Sequence, residues 1–114
     1  MFIYIIRHGE TYGNINGDGF TETDLTPNGM RQIAFLGKRF KDTEIDKIYT
    51  SPLKRAIKTA NAIKSFHEAT PLVVDFSLLE KGTDPDYSGL PDEEILKLNP
   101  YAKIGERKAL GKEN

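Results

Sequence analysis

Arg7 and His8 close an unbroken apolar run, Phe2 to Ile6, and are followed at once by Gly9. A histidine in such a place can be a base, a metal ligand or a nucleophile, or simply a hydrogen-bonded ring at a loop edge. The glycine after it lets backbone approach a ligand closely. A second basic pair, Lys54 and Arg55, follows the stretch Ile48-Tyr49-Thr50-Ser51-Pro52. It falls near a helix N-terminus, where free amides and the helix dipole favour an anion and disfavour a cation. A surface lysine is tolerated there, so Lys54 carries little information. Arg55 either snorkels to water or serves a ligand. Two arginines at the carboxyl ends of two strands suggest a shared anion, because a planar guanidinium grips a phosphate at two points.

The elements that must position these residues are readable in outline. Phe2 to Ile6 is rich in β-branched residues and reads as a strand buried on both faces. Glycines and asparagines from Gly13 to Gly19 read as a loop. Thr26-Pro27 is a helix start, a hydroxyl cap followed by proline at the first helical position. Met30, Ile33, Ala34, Gly37 and Phe40 give that helix one packing face. Ile45 to Thr50 reads as a second strand, and Ser51-Pro52 repeats the cap-plus-proline start. Leu53, Ala56, Ile57, Ala60 and Ile63 mark the buried face of a second helix. Leu72 to Val74 reads as a short third strand, 80–91 as a polar loop, and Pro91 to Leu98 as a third helix stopped at Asn99-Pro100. Residues 101–114 read as a frayed polar tail. Alternating strands and helices predict an α/β fold with parallel strands.

The totals narrow the classes. A chain of 114 residues fits one domain, with five tyrosines and six phenylalanines to help fill a core. Sixteen Lys and Arg against 17 Asp and Glu give a formal net charge of -1, which points away from nucleic acid or a membrane surface as partner. Absence of cysteine excludes a disulfide framework and a thiolate zinc site within this chain. The opening apolar run is too short for a membrane span or signal peptide, so a cytoplasmic location is expected. Asn14, Asn16, Asp18 and Gly19 match half of a calcium loop, but Leu25 stands where the bidentate glutamate belongs. No metal is expected.

These residues then name a family. Arg7-His8-Gly9-Glu10-Thr11 with Asn14 resembles the RHGETxxN signature of the histidine phosphatase (phosphoglycerate-mutase-like) superfamily. Leu25-Thr26-Pro27-Asn28-Gly29 with Gln32-Ile33-Ala34 is similar to its LTxxGxxQA segment. Ile48 to Leu53 with Arg55-Ala56 and Thr59-Ala60 is similar to its second arginine motif. The resemblance covers residues 2 to about 66. It implies a three-layer α/β/α fold, residues 1–100 being the N-terminal part of such a domain, truncated, with 101–114 as the tail. It implies a phosphomonoester phosphatase whose His8 attacks phosphorus, with Arg7, Asn14 and Arg55 on the phosphate and no cofactor. Gly9 would hold the other imidazole nitrogen through its carbonyl. Glu80 is the candidate general acid, or else a solvated loop carboxylate, in a segment where Tyr87 replaces the usual tryptophan. The expected partner is a phosphorylated small molecule.

The resemblance also implies a second histidine on a later strand that lies between the first two. Only His8 and His67 are present in this chain, and His67 reads as a surface residue closing the second helix. The alternatives are therefore a catalytically inactive phosphate-binding or interaction remnant, and the mutase branch of the family. Open sheet edges would favour self-association.

Overall fold

The structure, a computed structural model, describes residues 1–17, 22–79 and 87–107. Its parallel sheet has three short strands in the order β1 (Ile48–Thr50), β2 (Leu72–Val74) and β3 (Lys103–Ile104). Ile48 lies beside Leu72 and Thr50 beside Val74, while Val74 lies beside Ile104. Helix α1 spans Tyr12–Asn16, α2 Pro27–Arg39, α3 Lys54–Lys64 and α4 Asp92–Leu98. A single 3-10 turn, Phe76–Leu78, follows β2. The fold is α/β with parallel strands, as the element order predicts.

The core is built around α3. Ile57, Ala60 and Ile63 on its inner face pack with Ile48, Leu72, Val74, Phe40 and Ile95. Helices α2 and α4 both pack on α3, α4 through Ile95, which has no exposed surface. Strand β1 turns Ile48 and Thr50 inward and Tyr49 outward. Tyr49 is 54% exposed, so among the described residues the outer face of the sheet is open at β1.

Two helix starts differ instructively. Thr26 caps α2 as its sequence predicts, its Oγ1 accepting from Gly29 N at 2.9 Å with Pro27 in the first turn. Ser51 does not cap α3, which begins two residues later behind Leu53, a residue with no capping oxygen. The Ser51-Pro52 stretch is committed elsewhere, because Pro52 O accepts from Leu90 N at 3.0 Å.

Three further expectations are corrected. Residues 2–6 form no strand, and Phe2, Ile3 and Ile5 are 86%, 78% and 94% exposed. A strand buried on both faces needs neighbours for its amides and carbonyls, and among the described residues none pairs with this segment. Ile6 packs against the core, and Tyr4 meets the core ring of Phe40 edge-on at 5.1 Å. The predicted loop 13–19 begins instead as α1, nucleated by a reciprocal capping box between Thr11 and Asn14 and stopped by Gly17 at φ 72°. The predicted frayed tail is docked as far as Arg107. Lys103–Ile104 pair with β2, and Arg107 stacks on Phe76 at 4.1 Å while bonding Ser88 O, Leu90 O and Asp92. Among the described residues no helix is long and apolar enough to cross a membrane.

Candidate active site

The loop Arg7–Thr11 runs between α2 and α3 instead of leaving a sheet strand. Gly9 is buried there, and a Cβ on it would stand 2.7 Å from Gly29 O and 2.9 Å from Ile33 Cγ2 of α2. Only glycine allows that approach. Its N–H donates to Thr59 Oγ1 on α3 at 3.2 Å. On the α2 side, Glu10 N–H donates to Gln32 Oε1 at 2.8 Å, and Thr26 N–H donates to Glu10 O at 3.0 Å. The Glu10 carboxylate accepts from Thr26 Oγ1 at 2.8 Å and from Asn28 Nδ2 at 3.4 Å, so it fastens the loop to the start of α2.

His8 is half-buried, and its Nδ1–H donates to Gly9 O at 2.7 Å. A carbonyl can only accept, so Nδ1 carries the hydrogen and, in the neutral ring, Nε2 carries the lone pair. Arg7 is exposed beside it. Arg55 is 6% exposed in the first turn of α3, and its charge acts on Tyr87. A buried guanidinium in a helix first turn opposes the dipole and is not held by simple snorkelling. Asn14 is exposed, and its Oδ1 is already committed to Thr11 N–H at 3.0 Å, which leaves its amide NH2 as the donating end. Glu80 lies outside the described residues.

Sequence reasoning missed a carboxylate. Glu22 Oε1 accepts from Lys54 N–H at 3.3 Å and its Oε2 from Tyr87 O–H at 2.6 Å. It supplies the cap that Leu53 cannot, from 32 residues upstream. Burial and the Glu22 hydrogen bond push the Tyr87 phenol well above its ordinary value, against the pull of Arg55 and Arg107. No local pattern marks Glu22, since it acts across the chain. Nearby, Lys58 and Lys54 reach Asp24 at 2.8 and 3.4 Å. Burial alone would raise the Asp24 carboxyl, but the bonds from Lys58 and Leu25 N–H, with the two lysine charges, hold it below the usual value.

His67 stands apart. Its Nε2–H donates to Phe40 O at 2.8 Å, tying the end of α3 to the end of α2. Arg55 and Lys64 alone are about 14 Å apart along the helix axis, and His67 lies beyond Lys64. Among the described residues no cluster of three or more His, Asp and Glu side chains could hold a metal.

Residues 3–110 match the histidine phosphatase superfamily (branch 1). The chain belongs to that family. It is 38% identical over 101 residues to the uncharacterized phosphatase PhoE of Bacillus subtilis, covering 86% of this chain and 51% of that protein. It is 37% identical over 106 residues to a 2,3-bisphosphoglycerate-dependent phosphoglycerate mutase of Lactococcus lactis, covering 88% and 43%. Among solved structures, Bacillus stearothermophilus YhfR superposes with a TM-score of 0.62 at 33% identity, over 82% of this chain and 46% of that one. The chain spans about half the length of the curated relatives it matches.

Proposed function

We propose that this chain, or the protein to which it contributes, is a phosphomonoester phosphatase that works through a phosphohistidine at His8. The lone pair of Nε2 attacks phosphorus, the bond from phosphorus to the ester oxygen breaks, and the departing alkoxide takes a proton from a general acid. Glu80 is our candidate for that acid. Water then attacks the phosphoimidazole, releasing inorganic phosphate and restoring the ring. Arg7, Arg55 and the Asn14 amide offset the charge on the phosphoryl oxygens, so that positioning and electrostatics carry the catalysis. The substrate class is a phosphorylated small molecule.

The observation that carries this reading is the 2.7 Å bond from His8 Nδ1–H to Gly9 O, which supplies the tautomer an attacking imidazole needs. Similarity to a phosphatase and to a mutase is compatible with it, because both would share the first phosphoryl transfer. The test is hydrolysis of a chromogenic phosphate ester by the wild type, His8→Ala and His67→Ala. Turnover lost in the first variant and kept in the second supports the reading. Turnover that survives in folded His8→Ala rejects it. One observation favours a second reading, an inactive phosphate-binding remnant: the other histidine of the chain is bonded to Phe40 at the far end of α3. Binding of phosphate without any turnover would mark that case.

A further inference from the structure

His8 is fixed by a carbonyl, and that carbonyl is itself fixed from two helices. The amide joining Gly9 to Glu10 accepts from His8 Nδ1–H at its oxygen and donates to Gln32 Oε1 at its nitrogen, at 2.7 and 2.8 Å. Each bond polarises the other through the shared peptide unit. The preceding amide, Gly9 N–H, donates to Thr59 Oγ1 at 3.2 Å, and the Thr59 hydroxyl donates its own hydrogen to Arg55 O at 2.8 Å. That second bond turns an oxygen lone pair toward Gly9. Thr59 is 5% exposed and lies one helical turn beyond Arg55. Helix α3 therefore holds the loop of the proposed nucleophile and the proposed phosphate-binding arginine on the same face.

These bonds matter more because residues 2–6 lie outside the sheet. Among the described residues, no backbone bond ties residues 2–8 to a strand. The ring's orientation then depends on the grip that the helices keep on Gly9 and Glu10.

We propose that Thr59 on α3 and Gln32 on α2 are positioning residues for His8, which hold the Gly9 backbone from two sides and so maintain the imidazole with Nε2 unprotonated. The proposal rests on the phosphohistidine reading for its consequence in catalysis. The tautomer itself can be measured without any activity. The chain has two histidines, and they should be opposite tautomers: His8 with hydrogen on Nδ1, His67 with hydrogen on Nε2.

The experiment is ring 15N NMR of the labelled full chain, at a pH where both rings are neutral, on wild type, Thr59→Val, Thr59→Ser and Gln32→Ala. Valine keeps the volume of Thr59 and removes its acceptor, and serine restores the acceptor. The expected result is a clean Nδ1–H signal for His8 in wild type and Thr59→Ser. In Thr59→Val and Gln32→Ala it becomes a tautomer mixture, while His67 is unmoved in both. With a phosphate ester, the rate of His8 phosphorylation should fall about 10-fold in the valine variant and return with serine, as for other outer-shell partners. An unchanged His8 signal in either Thr59→Val or Gln32→Ala, with His67 native-like, overturns the proposal. Should Thr59→Val disturb both rings through loss of fold, the exposed Gln32 position decides alone: a mixture at His8 supports the proposal, and an unchanged ring overturns it.

Discussion

Arg55 and Lys54 are adjacent in sequence and opposite in circumstance. Arg55 is 6% exposed, whereas the Lys54 side chain is 42% exposed and turned toward Asp24 at 3.4 Å. Removing one charge-assisted contact to a phosphate costs about 1.5–3 kcal/mol. We expect Arg55→Ala to weaken binding of phosphate or vanadate at least about 10-fold, the affinity equivalent of such a loss. Lys54→Ala should leave the affinity within about a factor of two, the small effect of an exposed ion pair. Isothermal titration of both variants would check this, and equal losses would reduce the site to general surface charge. Arg7, His8 and Arg55 were legible as candidates from their types and from the family motifs around them. Glu22 was not, because its role depends on a helix start far along the chain, at Lys54.

Among the elements, three with strong local signals appear where the sequence predicts them, although the Ser51-Pro52 signal does not start α3. Thr26-Pro27 starts α2, the apolar spacing from Ile57 to Ile63 fixes the inner face of α3, and Leu72–Val74 is a strand. Those set by distant partners do not. Residues 2–6 have strand composition and, among the described residues, no partner strand, and β3 is two residues long, too short for any periodicity. Helix α1 is five residues long and owes its start to the Thr11–Asn14 capping box in a glycine- and asparagine-rich stretch. The Asp24 contacts make a prediction at this scale, because they fasten the segment leading into α2 onto α3. Asp24 has a lowered folded-state pKa, so its contribution is present above the ordinary value of 3.8 and is lost as pH falls through the folded-state value. The carboxylate is 40% exposed, which limits the contribution to about 0.2–1 kcal/mol. Asp24→Asn should therefore be slightly less stable than wild type near about pH 7, with the difference vanishing near about pH 2. Denaturant unfolding at both values would check it, and a difference independent of pH would contradict the assignment.

The whole molecule leaves several apolar features open. Phe2, Ile3 and Ile5 lie exposed, the outer face of β1 presents Tyr49, and β1 is an edge strand. Unpaired apolar strand edges invite association. We expect concentration-dependent self-association of this chain in sedimentation velocity, reversed by Ile3→Lys with Ile5→Lys. A monomer at every concentration, with slowly exchanging amides in residues 2–6, would show instead that this segment finds a partner within its own chain.

The central claim is that His8 Nε2 takes the phosphoryl group, and trapping that species tests it most directly. The chain is mixed with a phosphate ester, quenched in base to preserve the acid-labile bond, and mapped by mass spectrometry and 31P NMR. The account predicts one phosphate on Nε2 of His8, absent in His8→Ala and retained in His67→Ala. Ester turnover with the phosphate on another residue, or with none on His8 in a rapid-quench time course, would contradict it.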